Sequence, residues 1–210
     1  MFGLELTPAV NVEVEGQRRL CFDMEARPLG WYAGDFNHKE VTMISSAWVD
    51  DPEGTMETQV LTKRDDSAVR MVKEFLKRYD EADIVVGHYI RGFDLPLLNA
   101  TCLDLGLPPL SSKMSHDTKG DLVKLHGLSK SMENLGALLG LVHPKVHMNM
   151  QNWRQANRLM PEGIEYARIR CEGDVLENIE LRAVLLERGY LSAPKLWSSG
   201  GSGHVPQYHA

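Results

Sequence analysis

The sequence predicts an α/β fold in which a mixed β-sheet of about five strands is flanked by α-helices. Two alternating segments on either side of the turn sequence Asp-Asp-Pro-Glu-Gly at 50–54 are typical of an antiparallel hairpin. The wholly apolar segment 84–86 lies between two helical patterns, as expected of a strand that is buried on both faces. Helical patterns separate the later strands, which predicts crossover connections that add those strands to the hairpin.

Each element follows from the spacing of its apolar residues, taken along the chain. Alternation over 17–22 and 41–49 predicts strands, and the glycine- and proline-containing segment 26–39 between them predicts an irregular loop. Apolar residues three and four positions apart over 66–79 predict the first helix. The other predicted strands cover residues 10–14, 56–61, 84–86 and 113–118, and the other predicted helices cover residues 95–103, 131–139, 149–159 and 163–188.

Residues 1–190 are predicted to form a single domain, because 210 residues suffice for one full core and are few for two. The segment Ser198–Gly203 is rich in serine and glycine, so residues 191–210 are predicted to form a flexible tail. No apolar segment approaches the ~20 residues needed to cross a bilayer, and no membrane partner is expected. Three scattered cysteines without a Cys-x-x-Cys pattern favour reduced thiols and a cytoplasmic setting.

The formal net charge of −6 argues against a protein that coats nucleic acid through bulk positive charge. An enzyme that contacts a few phosphates locally, beside an acidic metal site, is compatible with this charge. Part of the negative excess would then be neutralised when cations bind.

Asp23 and Glu25 follow the apolar segment Leu20-Cys21-Phe22 and are separated by one residue. Because side chains alternate along a strand, both carboxylates should project from the same face and repel each other. Solvent relieves such repulsion at a strand end, and a hard divalent cation relieves it in a buried site. The pair alone leaves both explanations open.

Two further carboxylates have contexts that suggest a shared site. Asp94 follows the buried strand at 84–86 and opens a helix, and the carboxyl ends of such strands are where α/β folds gather their ligands. A capping or first-turn role is the alternative for Asp94. Asp174 lies inside the last helix beside Gly173, and both residues have poor helix propensity. We interpret this local cost as a sign that Asp174 serves another purpose.

In this order the motifs resemble those of the DEDD superfamily of 3′–5′ exonucleases, which have a ribonuclease H-like fold and include the proofreading domains of DNA polymerases. Residues 22–25 resemble the first exonuclease motif, residues 87–96 the second and residues 171–175 the third. The stretch 131–140 resembles the helix that usually precedes the third motif. The similarity spans residues 18–188 and keeps the order and spacing of the motifs.

The resemblance implies a metal-dependent exonuclease that releases nucleoside 5′-monophosphates from the 3′ end of DNA, with single-stranded DNA preferred to RNA. It also implies that Asp23, Glu25, Asp94 and Asp174 hold two Mg²⁺ or Mn²⁺ ions. One ion would activate water, and the other would stabilise the leaving 3′-oxygen. A replication or repair protein is an expected partner, in a bacterial or phage-infected cell.

A fifth family residue is missing from its usual position. Family members carry a Tyr four positions before the last Asp, or a His five positions before it, to orient the attacking water. Here those positions hold Arg170 and Ile169. Because Arg is a poor general base, Arg170 is expected to contact the scissile phosphate or to lie on the helix surface. His147 and Tyr166 are the candidates to replace the missing group, and the alternative for His147 is a solvated loop histidine.

Other residues are candidates for seating the terminal nucleotide. Ala26 stands where the first motif often continues with Thr, and Tyr89 stands where the second often has Asn, which puts the usual substrate preference in doubt. His88 is a candidate on the substrate side, with a satisfied core histidine as the alternative. Trp31 follows the first motif and would either stack on unpaired bases or anchor its loop.

Two other functions stay open on the sequence alone. Without the usual Tyr or His, the chain would be a weakened exonuclease-fold module that binds nucleic-acid ends or a replication partner. Otherwise it would be a structure-specific or RNA-directed nuclease on the same fold.

Overall fold

The computed structural model describes residues 16–29, 38–143 and 146–200 of the chain. The predicted strand at 10–14 and the side chain of Trp31 therefore lie outside the described residues. The strands are β1 (Arg19–Pro28), β2 (Lys39–Trp48), β3 (Glu57–Val60), β4 (Ile84–Gly87), β5 (Lys113–Asp117) and β6 (Lys195–Trp197). The helices are α1 (Ser67–Glu81), α2 (Asp94–Asp104), α3 (Met132–Leu139), α4 (Met150–Asn157) and α5 (Pro161–Glu187).

The strands form one mixed sheet in the order β3-β2-β1-β4-β5-β6. β1 pairs antiparallel with β2, and β2 pairs antiparallel with β3. β4 pairs parallel with both β1 and β5, and β6 closes the sheet antiparallel to β5. The predicted α/β fold with a mixed sheet is confirmed, and the described part of the chain contributes six strands to it where about five were predicted. Because β1 and β4 run parallel, their carboxyl ends point to the same edge of the sheet.

The two faces of β1 contact different helices. Phe22 packs on the face that α1 covers, where its ring centroid lies 4.9 Å from that of Phe75. Cys21 lies on the opposite face, in an apolar cluster with residues of β2, β4 and α5. Because side chains alternate along the strand, Asp23 and Glu25 share the face of Cys21. β1 therefore directs both carboxylates towards α5.

The prediction of an irregular loop over residues 26–39 is wrong for residues 26–28. Residues 26–28 continue β1 and pair with residues 39–41 of β2 after a register shift that follows Glu25. The guanidinium of Arg27 lies 2.6 Å from the carboxylate of Glu40 and joins the two strands. Pairing with a neighbouring strand thus outweighs the loop-forming composition of this segment.

The prediction of a flexible tail over residues 191–210 is wrong for residue 191 and for residues 195–197. Residues 195–197 pair antiparallel with β5, and Leu191 forms an isolated bridge with Leu122. The Nζ atom of Lys195 lies 2.8 Å from Oδ1 of the buried Asp121. A three-residue strand beside a serine- and glycine-rich segment has too little periodicity for the sequence to predict it.

Helix α3 begins and ends where the sequence predicts. The Oγ atom of Ser131 accepts a hydrogen bond from the backbone nitrogen of Asn134, and Gly140 ends the helix with a φ of 70°. Leu135 of α3 packs in an apolar cluster with Leu181 of α5. Among the described helices, none combines the length and the apolar character needed to span a membrane.

Candidate metal centre

Three of the four predicted metal ligands meet where β1 passes α5. Asp23 and Glu25 project from β1 and Asp174 projects from α5, and one carboxylate oxygen of each lies within 4.8 Å of the others. Asp174 has 4% of its surface exposed, whereas Asp23 and Glu25 are half-buried. Three carboxylates this close repel one another, so the group favours a cation beside it.

One cation beside this group is the guanidinium of Arg170. Its Nε atom donates a hydrogen bond of 2.8 Å to Oε1 of Glu25, and its Nη2 atom lies 3.4 Å from Oδ2 of Asp174. Burial lowers the pKa of Arg170, but the charges of Asp174 and Glu25 outweigh burial and raise it overall. Arg170 therefore lies within the acidic group as a permanent cation, and not on the helix surface.

Cys171 joins α5 to β1 at the same place. Its Sγ atom lies 3.4 Å from the backbone oxygen of Asp23 and 3.6 Å from the Oδ2 atom of that residue. Burial and the neighbouring carboxylates of Asp23 and Glu25 raise the pKa of the thiol well above its ordinary value, so it stays protonated and can donate. The sequence predicts only a reduced thiol at Cys171 and no role for it beside Asp23. Its spacing of three residues from Asp174 on one helix was the available signal.

Asp94 lies at the first position of α2 and is buried, with 4% of its surface exposed. Burial, together with the charges of Asp117 and Glu25, raises its pKa to about 7, although a backbone hydrogen bond acts in the opposite direction. The charge of Glu25 thus reaches Asp94, yet Asp94 is not part of the group whose ligand atoms all lie within 4.8 Å. The structure brings three predicted ligands together, and the fourth lies outside that group at the start of α2.

The donor set fits a hard divalent cation. Its members offer carboxylate oxygens, which Mg²⁺ and Mn²⁺ prefer to nitrogen or sulfur ligands. Burial is the largest cause of the raised pKa of Asp94, and the charges of Asp117 and Glu25 act in the same direction. Asp23, Glu25 and Asp174 are the residues that could hold the ion.

His88 is tied to the interior of the protein. Its Nδ1 atom lies 3.0 Å from the hydroxyl of Thr118, which donates a 2.6 Å hydrogen bond to Oδ1 of Asn178. The amide of Asn178 in turn donates to the Sγ atom of Cys21 at 3.3 Å. These contacts connect the ends of β4 and β5 to α5. The sequence alone indicated a role for neither Thr118 nor Asn178.

His147 is not a member of the three-carboxylate group. The side chain of His147 is 74% exposed, and its Nε2 atom lies 3.8 Å from Oε1 of Glu133 on α3. His147 also lines a cavity of about 400 Å³ between α3 and α5, together with the buried Glu177. Tyr166 lies on α5 with 48% of its surface exposed.

Tyr89 has an unusual backbone conformation in the segment between β4 and α2. Its φ of 64° lies in the left-handed region, where side chains other than glycine and asparagine are strained. Its backbone nitrogen donates to Oδ1 of Asp117 at 2.9 Å, which helps to fix that conformation. The Nζ atom of Lys119 lies 4.2 Å from the centroid of the Tyr89 ring, which is largely exposed. Ala26 follows the register shift in β1 and is half-buried.

Comparisons with known proteins give matches that concern the fold. A family model described as the RNase_H superfamily matches residues 20–145. The structure of the family B DNA polymerase from the hyperthermophilic archaeon Pyrobaculum calidifontis is similar to this chain, with a TM-score of 0.57 and a sequence identity of 21%. That match covers 81% of this chain and 24% of the polymerase, so the chain spans about a quarter of its length. A search of curated proteins found no match.

Proposed function

The chain belongs to the RNase_H superfamily, and on that premise we propose that it is a metal-dependent 3′–5′ exonuclease. The proposed substrate is the 3′ end of DNA, with single strands preferred to RNA. The reaction is hydrolysis of the terminal phosphodiester bond. Water attacks phosphorus, the 3′-oxygen of the shortened strand leaves with a proton, and a nucleoside 5′-monophosphate is released.

The convergence of Asp23, Glu25 and Asp174 is the observation that carries this proposal. We propose these three residues, with Asp94, as the ligands of Mg²⁺ or Mn²⁺. The burial of Asp94 at the start of α2 supports the fourth assignment, as does the charge of Glu25, which adds to the effects of burial and of Asp117 in raising the pKa of Asp94. The order of these acids along the chain also agrees with the DEDD exonuclease motifs.

Ions bound to these carboxylates would supply an activated water and would neutralise negative charge on the phosphate. The residues of the chain position the metal ligands and the phosphate. Cys171 holds Asp23 against α5 through the contacts of its thiol, and we assign Arg170 to the scissile phosphate. His147 remains a proposed candidate to orient the attacking water; its side chain is 74% exposed, and its Nε2 atom lies 3.8 Å from Oε1 of Glu133.

Exposed aromatic rings beside lysines support a single-stranded substrate. Tyr89 is 47% exposed and Lys119 lies over its ring, and Phe93 is 37% exposed with the Nζ atom of Lys39 4.8 Å from its ring centroid. Both rings lie on the segment between β4 and α2, which leads to Asp94. Unpaired bases stack on such rings, and nearby cations contact the phosphate backbone.

His88 and Ala26 are further proposed substrate contacts. His88 directly follows β4, and Ala26 directly follows Glu25 in β1. We also propose a replication or repair protein as a partner, and the likeness of the fold to a DNA polymerase supports this part of the proposal.

A 5′-labelled single strand incubated with Mg²⁺ or Mn²⁺ tests the proposed function. We expect a ladder of products that shortens from the 3′ end. Asp23→Asn and Asp174→Asn should each lower the rate by at least about 100-fold, because each removes an anionic metal ligand. Asp104→Asn, at the exposed end of α2, is the matched control and should retain the rate. If neither DNA nor RNA is shortened with either metal, the proposed function is wrong.

The ion pairs of Arg170 also favour a second candidate function. A guanidinium that neutralises Glu25 and Asp174 would suit a module that binds nucleic-acid ends without cleaving them. Such a module would retain a labelled single strand in a filter-binding assay and would leave it intact after prolonged incubation with Mn²⁺. Cleavage by the wild-type protein that Asp23→Asn abolishes excludes this candidate.

A further inference from the structure

Arg170 is fixed in the candidate metal centre from two directions. On one side its guanidinium pairs with Glu25 at 2.8 Å and with Asp174 at 3.4 Å. On the other side its Nη1 atom donates a 2.7 Å hydrogen bond to the backbone oxygen of Val146, and its Cζ atom lies 5.5 Å from the ring centroid of Trp153. Only 15% of the side chain is exposed. Because two of these four partners are not carboxylates, loss of the ion pairs would not by itself release the guanidinium.

The guanidinium spans the two elements that supply the acidic group. Glu25 belongs to β1 and Asp174 belongs to α5, and Arg170 contacts both at once. A second metal ion that bridged β1 and α5 would have to share the carboxylates of Glu25 and Asp174 with Arg170. The guanidinium of Arg170 is already hydrogen-bonded to Glu25. In a partly desolvated site, like charges at such short range repel strongly. One divalent cation can therefore bind to the acidic group beside Arg170, and repulsion between the cations disfavours the binding of a second one.

The guanidinium also keeps donors for a phosphate. Of its five N–H groups, one is used on Glu25, one on Val146 and one faces Asp174. One N–H group on Nη1 and one on Nη2 take part in none of these contacts. A guanidinium donates readily to phosphate oxygens through such N–H groups.

We propose that Arg170 takes the place of one of the two metal ions usual for such centres, so that the site binds a single divalent cation. The guanidinium then supplies the second positive charge and contacts the phosphate of the terminal nucleotide. This inference rests on the proposed function, because it concerns the same metal centre. It differs from the two-metal arrangement that the family resemblance implies.

Titration with Mn²⁺ in the absence of nucleic acid tests the stoichiometry directly. Calorimetry and the electron paramagnetic resonance signal of free Mn²⁺ both count bound ions per chain. We expect one ion for the wild-type protein and two for Arg170→Ala. Arg168→Ala is the matched control, because Arg168 lies on the same helix and pairs with Glu165 and Glu172 outside the acidic group. It should bind one ion with unchanged affinity.

Arg170→Gln is the second variant, since it keeps most of the side-chain volume and removes the charge. It should also bind two ions, and it replaces Arg170→Ala if circular dichroism shows that the alanine variant does not fold. Two ions on the wild-type protein, or one ion on each folded Arg170 variant, would overturn the inference and leave the proposed function standing. No bound Mn²⁺ on any variant would overturn both.

Discussion

The Sγ atom of Cys171 on α5 lies 3.4 Å from the backbone oxygen of Asp23 on β1. These residues are 148 positions apart in the chain, and the same Sγ atom is 3.6 Å from the Asp23 carboxylate. About one helical turn further along α5, Asp174 approaches the carboxylates of Asp23 and Glu25. The thiol contact thus joins the strand and the helix that carry the acidic group.

Replacing this thiol should affect both stability and metal binding. Cys171→Ala removes a buried sulfur and its contacts, so we expect the free energy of unfolding to fall by about 1–2 kcal/mol. The affinity for Mn²⁺ should fall several-fold, because Asp23 loses a positioning contact. Urea unfolding and Mn²⁺ titration measure the two effects. Cys102→Ala is the matched control, since Cys102 is also a buried free cysteine but belongs to the core that contains Phe75. It should destabilise the protein similarly and leave Mn²⁺ affinity unchanged.

Stability of the metal-free protein should depend on pH through Asp94. Its pKa is raised to about 7 in the folded protein, from an ordinary value of 3.8. The folded state therefore retains a proton that the unfolded state releases near pH 4. The contribution of this proton to the free energy of unfolding is fully present below pH 4 and is lost as the pH rises to about 7.

Asp94→Asn should remove this dependence. In EDTA, the stability of the variant relative to wild type should rise between pH 4 and pH 7, by on the order of 2–4 kcal/mol, since each pKa unit corresponds to about 1.4 kcal/mol. Urea unfolding at a series of pH values measures the difference. A difference that stays constant across this range would show that Asp94 titrates normally. The control is Asp104→Asn, which changes an exposed carboxylate at the other end of α2.

Two glycines on α5 should respond oppositely to alanine. A Cβ atom at Gly163 would collide with the backbone of α4 at Gln155 and Ala156, which cannot move aside like a flexible side chain. Gly163→Ala should therefore destabilise the protein by about 1–3 kcal/mol. A Cβ atom at Gly173 would meet only Val146, at 3.5 Å. Gly173→Ala should stabilise it by about 0.5–1 kcal/mol, because alanine favours a helix interior. Thermal unfolding of the two variants measures this pair, and a stabilising Gly163→Ala would contradict the close approach of the helices.

Tyr89 offers a test of the proposed single-strand contact. Tyr89→Gly removes the ring and suits the φ of 64°, so binding should weaken without loss of stability. We expect the Kd for a labelled single strand to rise roughly ten-fold or more, since one base–ring stack contributes about 1–3 kcal/mol. Tyr190→Ala removes a comparably exposed ring beyond the C-terminal end of α5 and should not change the Kd. Equal effects of the two variants would exclude a specific role for Tyr89.

Local patterns were sufficient to predict much of the fold. Alternation in β1 places Asp23 and Glu25 on one face, and the apolar segment Ile84-Val85-Val86 lies wholly buried in the middle of the sheet. Ser131 and Gly140 mark the ends of α3 as their capping preferences indicate. These features depend on neighbouring residues, which is why the sequence alone predicts them.

Contacts between distant residues explain what the sequence did not predict. The extension of β1 over residues 26–28 requires pairing with β2, and β6 requires a partner strand some 80 positions earlier. The orientation of Arg170 depends on Glu25, which is 145 positions away, and on Val146 and Trp153. Nothing in the helical pattern around Arg170 distinguishes a surface arginine from one that faces the acidic group.

The most direct measurement is the identity of the first product released from a single strand labelled at its 3′-terminal nucleotide. With Mg²⁺ or Mn²⁺, the wild-type protein should release that nucleotide as a labelled 5′-monophosphate before any other labelled product appears. Asp23→Asn and EDTA should each prevent the release, and a circular single strand should stay intact. Labelled oligonucleotides as first products, or cutting of the circle, would show internal cleavage and contradict a 3′–5′ exonuclease. An intact labelled strand under all conditions would contradict nuclease activity altogether.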